Sequence, residues 1–255
     1  MIKIKNLKKS FGTQVVLDGV DFEIPREKLT VILGRSGEGK SVLLKHVIGL
    51  VKPDAGQIWV DGQEITVLSE RQLNDVRKKF GMLFQSAALF DSFNVEDNVA
   101  FPLREHTQFS EADIKNIVKQ KLEQVGLKNV GHKLPNELSG GMRKRVGLAR
   151  ALALNPSIIL YDEPTTGLDP VLTDSIDHLI LDTQKKFKVT SVVISHDIKS
   201  TFKIADKIAM LHDGKMIEEG GPEEFRESKN PIVQKFLSGK ADPTFIGWVN
   251  NGYEK

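Results

Sequence analysis

The segment GRSGEGKS, residues 34–41, constrains the fold of this chain more than any other. It matches G-x-x-x-x-G-K-[ST], a pattern in which backbone N–H groups of a glycine-rich loop surround phosphate oxygens. Such a loop joins the end of a buried strand to the start of a helix. The apolar run LTVIL (29–33) precedes it here, and residues 39–50 are predicted to form the helix. We therefore expect an α/β fold with a nucleotide phosphate-binding loop.

Each residue of this loop is a candidate phosphate contact. Lys40 is expected to reach the β- and γ-phosphates, and Ser41 to hold Mg²⁺. A chance match in a glycine-rich turn is the alternative, which the flanking strand and helix disfavour. The candidate phosphate-binding residues are Gly34, Arg35, Ser36, Gly37, Glu38, Gly39, Lys40 and Ser41.

Two acids end a second apolar run, SIILYDE (157–163). Nucleotide-bound Mg²⁺ needs a carboxylate at the end of a neighbouring strand, which predicts Asp162 as a metal ligand. Glu163 points to a different side because successive residues of a strand alternate, so it is predicted to polarise the attacking water. A helix N-cap ahead of Pro164 is a credible alternative for either acid alone, but it is a poor explanation of the pair.

Polar residues end two further apolar runs. His196 follows TSVVIS (190–195) and is predicted to donate a hydrogen bond near a γ-phosphate; a surface histidine is the alternative. Gln85 follows FGMLF (80–84) and is predicted to reach Mg²⁺ or the attacking water, with an ordinary polar strand end as the alternative. The other histidines have no metal-ligand spacing, so we predict no metal beyond nucleotide-bound Mg²⁺. They are His46, His106, His132, His178 and His212.

Composition limits the functional classes. The 255 residues include 36 basic and 34 acidic side chains, a balance that gives no general argument for nucleic-acid binding. The chain has no cysteine, which excludes disulfides and cysteine-ligated metals. The sequence contains no run of about 18 apolar residues, so no transmembrane helix is predicted. The start MIKIKNLKKS lacks the apolar segment of a signal peptide.

Strand-like and helical patterns alternate at both ends of the chain, around an all-helical block between about residues 87 and 156. This order predicts a parallel-sheet core over residues 1–86 and 157–238, with some antiparallel strands near the N-terminus. Residues 239–255 are predicted to form a polar extension. Helices are expected at 95–105, 111–125, 140–154 and about 170–187, and hairpins at 57–65 and 207–219, turning at Asp61-Gly62 and Asp213-Gly214.

Six motifs occur in the order typical of ABC-type ATPase cassettes. They are GRSGEGKS, Gln85, LSGGM (138–142), ILYDEP (159–164), GLDP (167–170) and SHD (195–197). The chain resembles that family over roughly residues 1–238. The resemblance implies a P-loop NTPase fold with a RecA-like parallel-sheet core, an antiparallel β subdomain and a helical subdomain, and the hydrolysis of ATP with Mg²⁺.

In this family two subunits pack head to tail around two ATP molecules. The resemblance implies that Ser139, Gly140 and Gly141 hold the γ-phosphate bound to the partner's Lys40, and that Asp169 lies in the loop that couples the two sites. An N-cap role for Ser139 is the alternative, and both roles can hold together. Family members often have Gln where this chain has Met142.

The resemblance also implies that Phe11 stacks on the adenine, with Val16 packing nearby; a core or edge aromatic is the alternative. The basic residues after the LSGG segment are expected to form a solvated helix face rather than a nucleic-acid site. They are Arg143, Lys144, Arg145 and Arg150.

The segments SGGMRKRVGLARAL and GMLFQSAALFDSFNVEDNVAFPLREH (81–106) resemble the ATPases of Mla/Mce-type phospholipid transporters. This branch implies that the protein is located at the cytoplasmic face of the bacterial inner membrane. The implied partners are a permease docking near residues 86–105, an MCE lipid-binding protein and a small regulatory subunit. Leu89, Phe90, Phe93 and Val95 are candidates for the permease groove, with a core role as the alternative.

Other classes remain as alternatives. The runner-up is the ATPase of an amino-acid or other solute importer. ABC ATPases that act on DNA or ribosomes are disfavoured, since the chain has neither a coiled-coil insertion nor a second cassette. A module that binds ATP without hydrolysing it is disfavoured by Glu163 and His196. In the extension, Phe245 and Trp248 are expected either to anchor a contact with the partner ATPase or to belong to a disordered tail.

Overall fold

The computed structural model of the chain describes residues 1–239. Phe245 and Trp248, expected either to anchor a contact with the partner ATPase or to belong to a disordered tail, lie outside the described residues. The strands are β1 (Ile2–Phe11), β2 (Gln14–Ile24), β3 (Leu29–Leu33), β4 (Ala55–Val60), β5 (Gln63–Glu64), β6 (Phe80–Leu83), β7 (Ile158–Asp162), β8 (Thr190–Ser195), β9 (Lys207–His212) and β10 (Lys215–Gly220). The helices are α1 (Lys40–Val47), α2 (Glu70–Arg77), α3 (Val95–His106), α4 (Glu111–Gln124), α5 (Gly140–Ala151), α6 (Pro170–Phe187), α7 (Ile198–Ile204), α8 (Pro222–Arg226) and α9 (Pro231–Leu237).

The core of the molecule is a six-stranded sheet in the order β10-β9-β3-β8-β7-β6. Strands β6, β7, β8, β3 and β9 run parallel, and β10 pairs antiparallel with β9. The central strands β3 and β8 are buried along their whole length, as expected for a sheet that is covered on both faces. The predicted parallel-sheet core is therefore confirmed.

The register of this sheet brings three strand ends together. Leu33 at the end of β3 lies opposite Ser195 at the end of β8, and Asp162 at the end of β7 lies opposite Ile194. In a parallel sheet these carboxyl ends share one edge, where ligands of open α/β folds bind. The loops that begin at this edge carry Lys40, Glu163 and His196.

A second, antiparallel sheet has the order β2-β1-β4-β5 and confirms the antiparallel strands expected near the N-terminus. Ile2 pairs with Ile24 on one side and with Val60 on the other. The inward side chains of this sheet form one apolar cluster with α1 and with the facing side of the parallel sheet. This sheet thereby supports the loop between β3 and α1.

Between β6 and β7 the chain forms the expected helical block, since residues 87–156 contain helices α3, α4 and α5 and no strand. Their apolar faces join the second core cluster, on the other side of the parallel sheet. Within residues 1–239, no helix combines the length and hydropathy needed to span a membrane.

Helix ends differ from the predictions. Helix α1 ends at Val47 rather than at residue 50, ahead of Gly49, which has a φ of 68°. Helix α5 ends at Ala151 rather than at 154, and Asn155 then takes a left-handed φ of 50° before Pro156. A left-handed residue ends a helix because it cannot continue the hydrogen-bond ladder. The short helices α2, α7, α8 and α9 were not predicted, because five to eight residues give little periodic signal.

Candidate nucleotide-binding site

The loop between β3 and α1 packs so closely against its surroundings that two of its positions require glycine. A Cβ on Gly34 would lie 2.6 Å from the carbonyl oxygen of Leu211. Gly39 has a φ of 93°, and a Cβ there would lie 2.8 Å from Val16 Cγ1. The loop therefore keeps its shape only with these glycines, and helix α1 begins directly after Gly39 with its N–H groups at the mouth of the loop.

Lys40 is the first residue of α1, and its side chain packs against this loop with only 4% exposure. Its Nζ donates to the carbonyl oxygens of Gly34 at 2.9 Å and Arg35 at 2.7 Å. Burial lowers the pKa of Lys40, while the charges of Glu163, Glu38 and Asp162 act in the opposite direction. A confined ammonium with neutral oxygen partners is suited to exchange them for the charged oxygens of a phosphate.

Ser41 and Asp162 meet as predicted, although 121 positions separate them in the sequence. Ser41 Oγ donates to Asp162 Oδ1 at 2.9 Å. Burial raises the pKa of Asp162, and the hydrogen bond from Ser41 partly offsets that effect. A hydroxyl and a carboxylate are hard oxygen ligands that fit Mg²⁺, which would also repay the desolvation of the carboxylate.

Glu163 and His196 lie together just beyond the ends of β7 and β8. His196 Nδ1 is 3.4 Å from Glu163 Oε2, and Thr166 Oγ1 donates to the same oxygen at 3.0 Å. The Glu163 side chain is 16% exposed, whereas that of His196 is 53% exposed. Glu163 also has a left-handed φ of 48°, a conformation that is costly for a residue with a side chain and is enriched at functional sites.

Gln85 follows β6 and is exposed. Its backbone carbonyl accepts a hydrogen bond from Lys144 Nζ. Within residues 1–239 its side chain makes no hydrogen bond to protein, so the predicted role toward Mg²⁺ or water stays a prediction.

Phe11 and Val16 lie on the paired strands β1 and β2 of the antiparallel sheet. Phe11 is 50% exposed, and Lys9 Nζ lies 5.4 Å from its ring centroid. Val16 packs against Gly39 of the loop. Half of the Phe11 side chain is therefore accessible, which leaves room for stacking on a base.

Ser139 is the N-cap of α5, with its side chain accepting from Met142 N at 3.3 Å, so the capping alternative is correct. Asp169 caps α6 by accepting from Val171 N and Leu172 N at 2.9 and 3.0 Å. A Cβ on Gly141 would lie 3.1 Å from Leu172 Cδ2, which shows that the two helix starts touch. Ser139 and Asp169 are both exposed at this junction.

The basic residues after Ser139 do not form a solvated face, and that prediction was wrong. Arg145 donates to Val125 O at 2.5 Å and to Ser175 Oγ at 2.7 Å. Arg150 donates to Ala87 O and Ala88 O, both at 2.8 Å. Arg143 donates to Leu138 O, and Lys144 is 5% exposed, with Nζ bound to backbone oxygens. These side chains satisfy carbonyl groups of irregular loops, a role that helical periodicity cannot reveal.

Glu38, His212 and Asp213 come together, although the sequence spacing of His212 indicated no ligand cluster. Their potential metal-ligand atoms all lie within 4.8 Å of one another. His212 Nδ1 is 3.0 Å from Glu38 Oε1, and Asp213 N donates to Glu38 Oε2 at 2.7 Å. The Glu38 carboxylate therefore ties the loop to the turn between β9 and β10, and a phosphate contact from Glu38 is left to its backbone.

An apolar groove of about 310 Å³ lies between β6, α3 and α5. Phe90 lines it and is 41% exposed, with Phe101 at 4.9 Å between ring centroids. Val95 is fully buried, so the core alternative holds for this residue. Leu89 and Phe93 are partly buried and do not line the groove, whereas Phe84 and Phe101, which had not been predicted, do.

Comparison with known proteins places this geometry in a family. The ABC transporter family profile matches residues 17–166. The intermembrane phospholipid transport system ATP-binding protein MlaF of Haemophilus influenzae is 45% identical over 242 residues, 95% of this chain and 92% of that protein. The probable ribonucleotide transport ATP-binding protein mkl of Mycobacterium leprae is 45% identical over 254 residues, 100% of this chain and 72% of that protein.

Solved structures agree. The ATP-binding cassette MJ0796, in a dimeric post-hydrolysis state bound to ADP and Pi, aligns with a TM-score of 0.80 at 32% identity. The alignment covers 87% of this chain and 99% of that one. The cbiO1 subunit of an ABC transporter complex from Clostridium perfringens aligns with a TM-score of 0.82 at 29% identity, over 97% of both chains. The chain therefore belongs to the ABC transporter family, in which it is the subunit that binds and hydrolyses ATP.

Proposed function

We propose that this chain drives the transport of phospholipid between bacterial membranes by hydrolysing Mg-ATP in a head-to-tail dimer. The identity with MlaF across 92% of that protein's length supports the cargo. The mkl relatives carry a different name, ribonucleotide transport, at the same identity. The cargo is therefore the point that an experiment has to decide, whereas the ATPase mechanism is common to both.

The observation that carries the ATPase mechanism is the convergence of Lys40, the Ser41–Asp162 pair and the Glu163–His196 pair at one sheet edge. Backbone N–H groups of residues 34–41 surround the phosphates, and Phe11 and Val16 position the adenine. Ser41, Asp162 and Gln85 would hold Mg²⁺ through their oxygen atoms. When bound, Mg²⁺ neutralises charge on the β- and γ-phosphates.

Hydrolysis then follows from the residues on the strand ends. Glu163 orients the attacking water and accepts its proton as the water oxygen bonds to the γ-phosphorus and the bond to ADP breaks. His196 donates a hydrogen bond to the γ-phosphate. Lys40 stabilises the charge that develops on the leaving phosphate oxygens.

The second half of each site comes from the partner subunit. Ser139, Gly140 and Gly141 bind the γ-phosphate held by the partner's Lys40, through the N–H groups at the start of α5. Asp169 lies at the adjacent helix start and passes the state of one site to the other. ATP thus connects the two subunits, and hydrolysis of its γ-phosphate allows them to separate.

The remaining proposals concern assembly. The ATPase domain spans residues 1–238, with its core at 1–86 and 157–238, a helical subdomain at about 87–156 and a C-terminal extension at 239–255. A permease helix docks near residues 86–105, in the groove that Phe90 lines, and the chain is thereby held at the cytoplasmic face of the inner membrane. An MCE lipid-binding protein and a small regulatory subunit complete the complex. No nucleic-acid partner is proposed, because the basic residues of α5 are engaged by loop carbonyls.

A pull-down of the full chain from native membranes in mild detergent tests the cargo, with mass spectrometry of the proteins and lipids that copurify. An integral permease together with an MCE-domain protein and enriched phospholipid is the expected result. A solute-binding protein with an importer permease would contradict lipid transport and leave the ATPase mechanism standing. A Phe90→Asp variant is the control, because a docked permease helix should be lost with it.

A further inference from the structure

We infer that Lys144 is a positioning residue that holds Glu163 and the Gln85 loop in place from the helix that begins at Ser139. This rests on the proposed roles of Glu163 and Gln85. It adds a link inside one subunit between the helix that serves the partner's ATP and the residues that act on the subunit's own ATP. Lys144 is the fifth residue after Ser139 and lies in the second turn of α5.

The Lys144 ammonium is buried, and its hydrogen-bond partners are carbonyl groups of these two loops. The residue is 5% exposed, and within residues 1–239 it forms no ion pair. Its Nζ donates to the carbonyl oxygen of Gln85 and lies 3.4 Å from the carbonyl oxygen of Glu163. Burial lowers the pKa of Lys144, and the charges of Glu163 and Asp162 oppose that effect. A buried ammonium has three donors to satisfy, and the two loop carbonyls are the partners it has found.

Glu163 needs such support because its backbone is strained. Its φ of 48° is left-handed, and residues with side chains keep that conformation only when neighbouring groups enforce it. Glu163 N donates to Ile194 O at 3.1 Å on one side, and Glu163 O faces Lys144 on the other. Removing Lys144 frees the carbonyl side, so the residue can relax and carry its carboxylate away from His196.

Lys144 also connects the loops after β6 and β7 to one helix, α5. The same ammonium binds the carbonyl that follows β6 and the carbonyl that follows β7, two neighbouring strands of the sheet. When Ser139 at the start of α5 takes up or releases the partner's nucleotide, any rotation of α5 is transmitted through Lys144 to Glu163. Hydrolysis in one site then depends on occupancy of the other through α5, in addition to the route proposed for Asp169.

A purely structural lysine would look similar, and the chain contains a matched example. Lys121 on α4 is also 5% exposed, and burial also lowers its pKa. Its Nζ donates to Asn155 Oδ1 at 2.6 Å, and it contacts neither Gln85 nor Glu163. Lys121→Met therefore removes a buried ammonium of the same kind from the same group of helices, without touching the two loops.

The test compares Lys144→Met with Lys121→Met in the full chain, measuring kcat, KM for ATP and melting temperature. We expect Lys144→Met to lower kcat by about tenfold or more while KM changes by less than about twofold. Lys121→Met should lower the melting temperature by a similar amount and leave kcat within about twofold of the parent. Lys144→Arg should restore most of kcat, because its guanidinium presents several donors to the same carbonyls.

Equal kcat values for the two methionine variants would overturn the inference. If Lys144→Met does not fold, Lys144→Gln takes its place with the same expected and contrary results, since it is uncharged and too short to reach both carbonyls. Glu163→Gln, assayed in parallel, separates the two levels of the account. Normal turnover in Glu163→Gln would contradict the proposed site itself, whereas a block there with normal turnover in Lys144→Met contradicts only the positioning role.

Discussion

His196 Nδ1 lies 3.4 Å from Glu163 Oε2, each residue standing directly beyond the end of one of two paired parallel strands. The contact joins a largely buried carboxylate to an exposed imidazole, so that Glu163 is enclosed by the fold while His196 remains accessible. Ser41 and Asp162 form a second pair on the same edge at 2.9 Å. The proposed mechanism accordingly divides water activation and metal binding between two carboxylates at adjacent positions of one strand end.

Glu163→Gln is expected to stop turnover and to preserve ATP binding. The amide cannot accept the proton of the attacking water, and the loss of a general base costs on the order of 10²–10⁴ in rate. Release of phosphate from Mg-ATP measures turnover, and equilibrium binding of a fluorescent ATP analogue measures affinity. Turnover equal to that of the parent chain would refute the assignment of Glu163 as the base.

Lys40→Ala is expected to lose ATP binding as well as turnover. Its ammonium is buried in the loop, and a charge-assisted hydrogen bond to phosphate contributes roughly 1.5–3 kcal/mol, which is about ten- to a hundredfold in affinity. Equilibrium ATP binding measures the loss, and the exposed Lys52 gives the control variant Lys52→Ala. An undiminished affinity in Lys40→Ala would rule out its phosphate contact.

Asp162→Asn is expected to raise the melting temperature at pH 7 and to lower Mg²⁺-dependent turnover. Because burial raises the pKa of Asp162, its ionised form is disfavoured in the fold. The buried, ionised carboxylate lowers the free energy of unfolding. By linkage, this destabilisation develops as the pH rises from the ordinary pKa of Asp through the raised pKa, and it is absent at lower pH. Without nucleotide or Mg²⁺, Asp162→Asn should therefore melt higher than the parent at pH 7 and lose this advantage near pH 3.

The same variant should lose Mg²⁺-dependent turnover by roughly a hundredfold, since a neutral amide is a poor ligand for Mg²⁺. Melting curves at the two pH values and ATPase titrations with MgCl₂ provide the measurements. An unchanged MgCl₂ dependence would contradict the assignment of Asp162 as a ligand. A lower melting temperature at pH 7 would contradict the electrostatic argument alone.

Much of the site was accessible from the sequence because it lies next to strand ends. Strands β3, β7 and β8 are apolar runs, and in a parallel sheet the residues after such runs share one edge. Lys40, Asp162 and His196 could therefore be grouped before any coordinates were considered. The head-to-tail use of Ser139 could be proposed only through the family resemblance, because a helix N-cap has the same sequence signature.

What the sequence could not show are contacts between side chains and distant loop carbonyls. Lys144 and Arg150 resemble an exposed basic helix face, yet they donate to carbonyls of residues 85–88. His212 meets Glu38 across 174 positions, because β9, which ends at His212, pairs in parallel with β3, and Glu38 lies in the loop after β3. Backbone acceptors have no sequence signature, so such partners appear only once the irregular loops are placed.

The most direct measurement of the central claim is the oligomeric mass of Glu163→Gln, with and without Mg-ATP, alone and combined with Ser139→Arg. The account predicts a dimer with Mg-ATP for Glu163→Gln and a monomer for the double variant, with ATP still bound to each monomer. Ser69, the N-cap of α2, provides the control Ser69→Arg, which also removes a cap but should leave the dimer intact. A Mg-ATP-dependent dimer of the Ser139→Arg double variant would contradict the head-to-tail site.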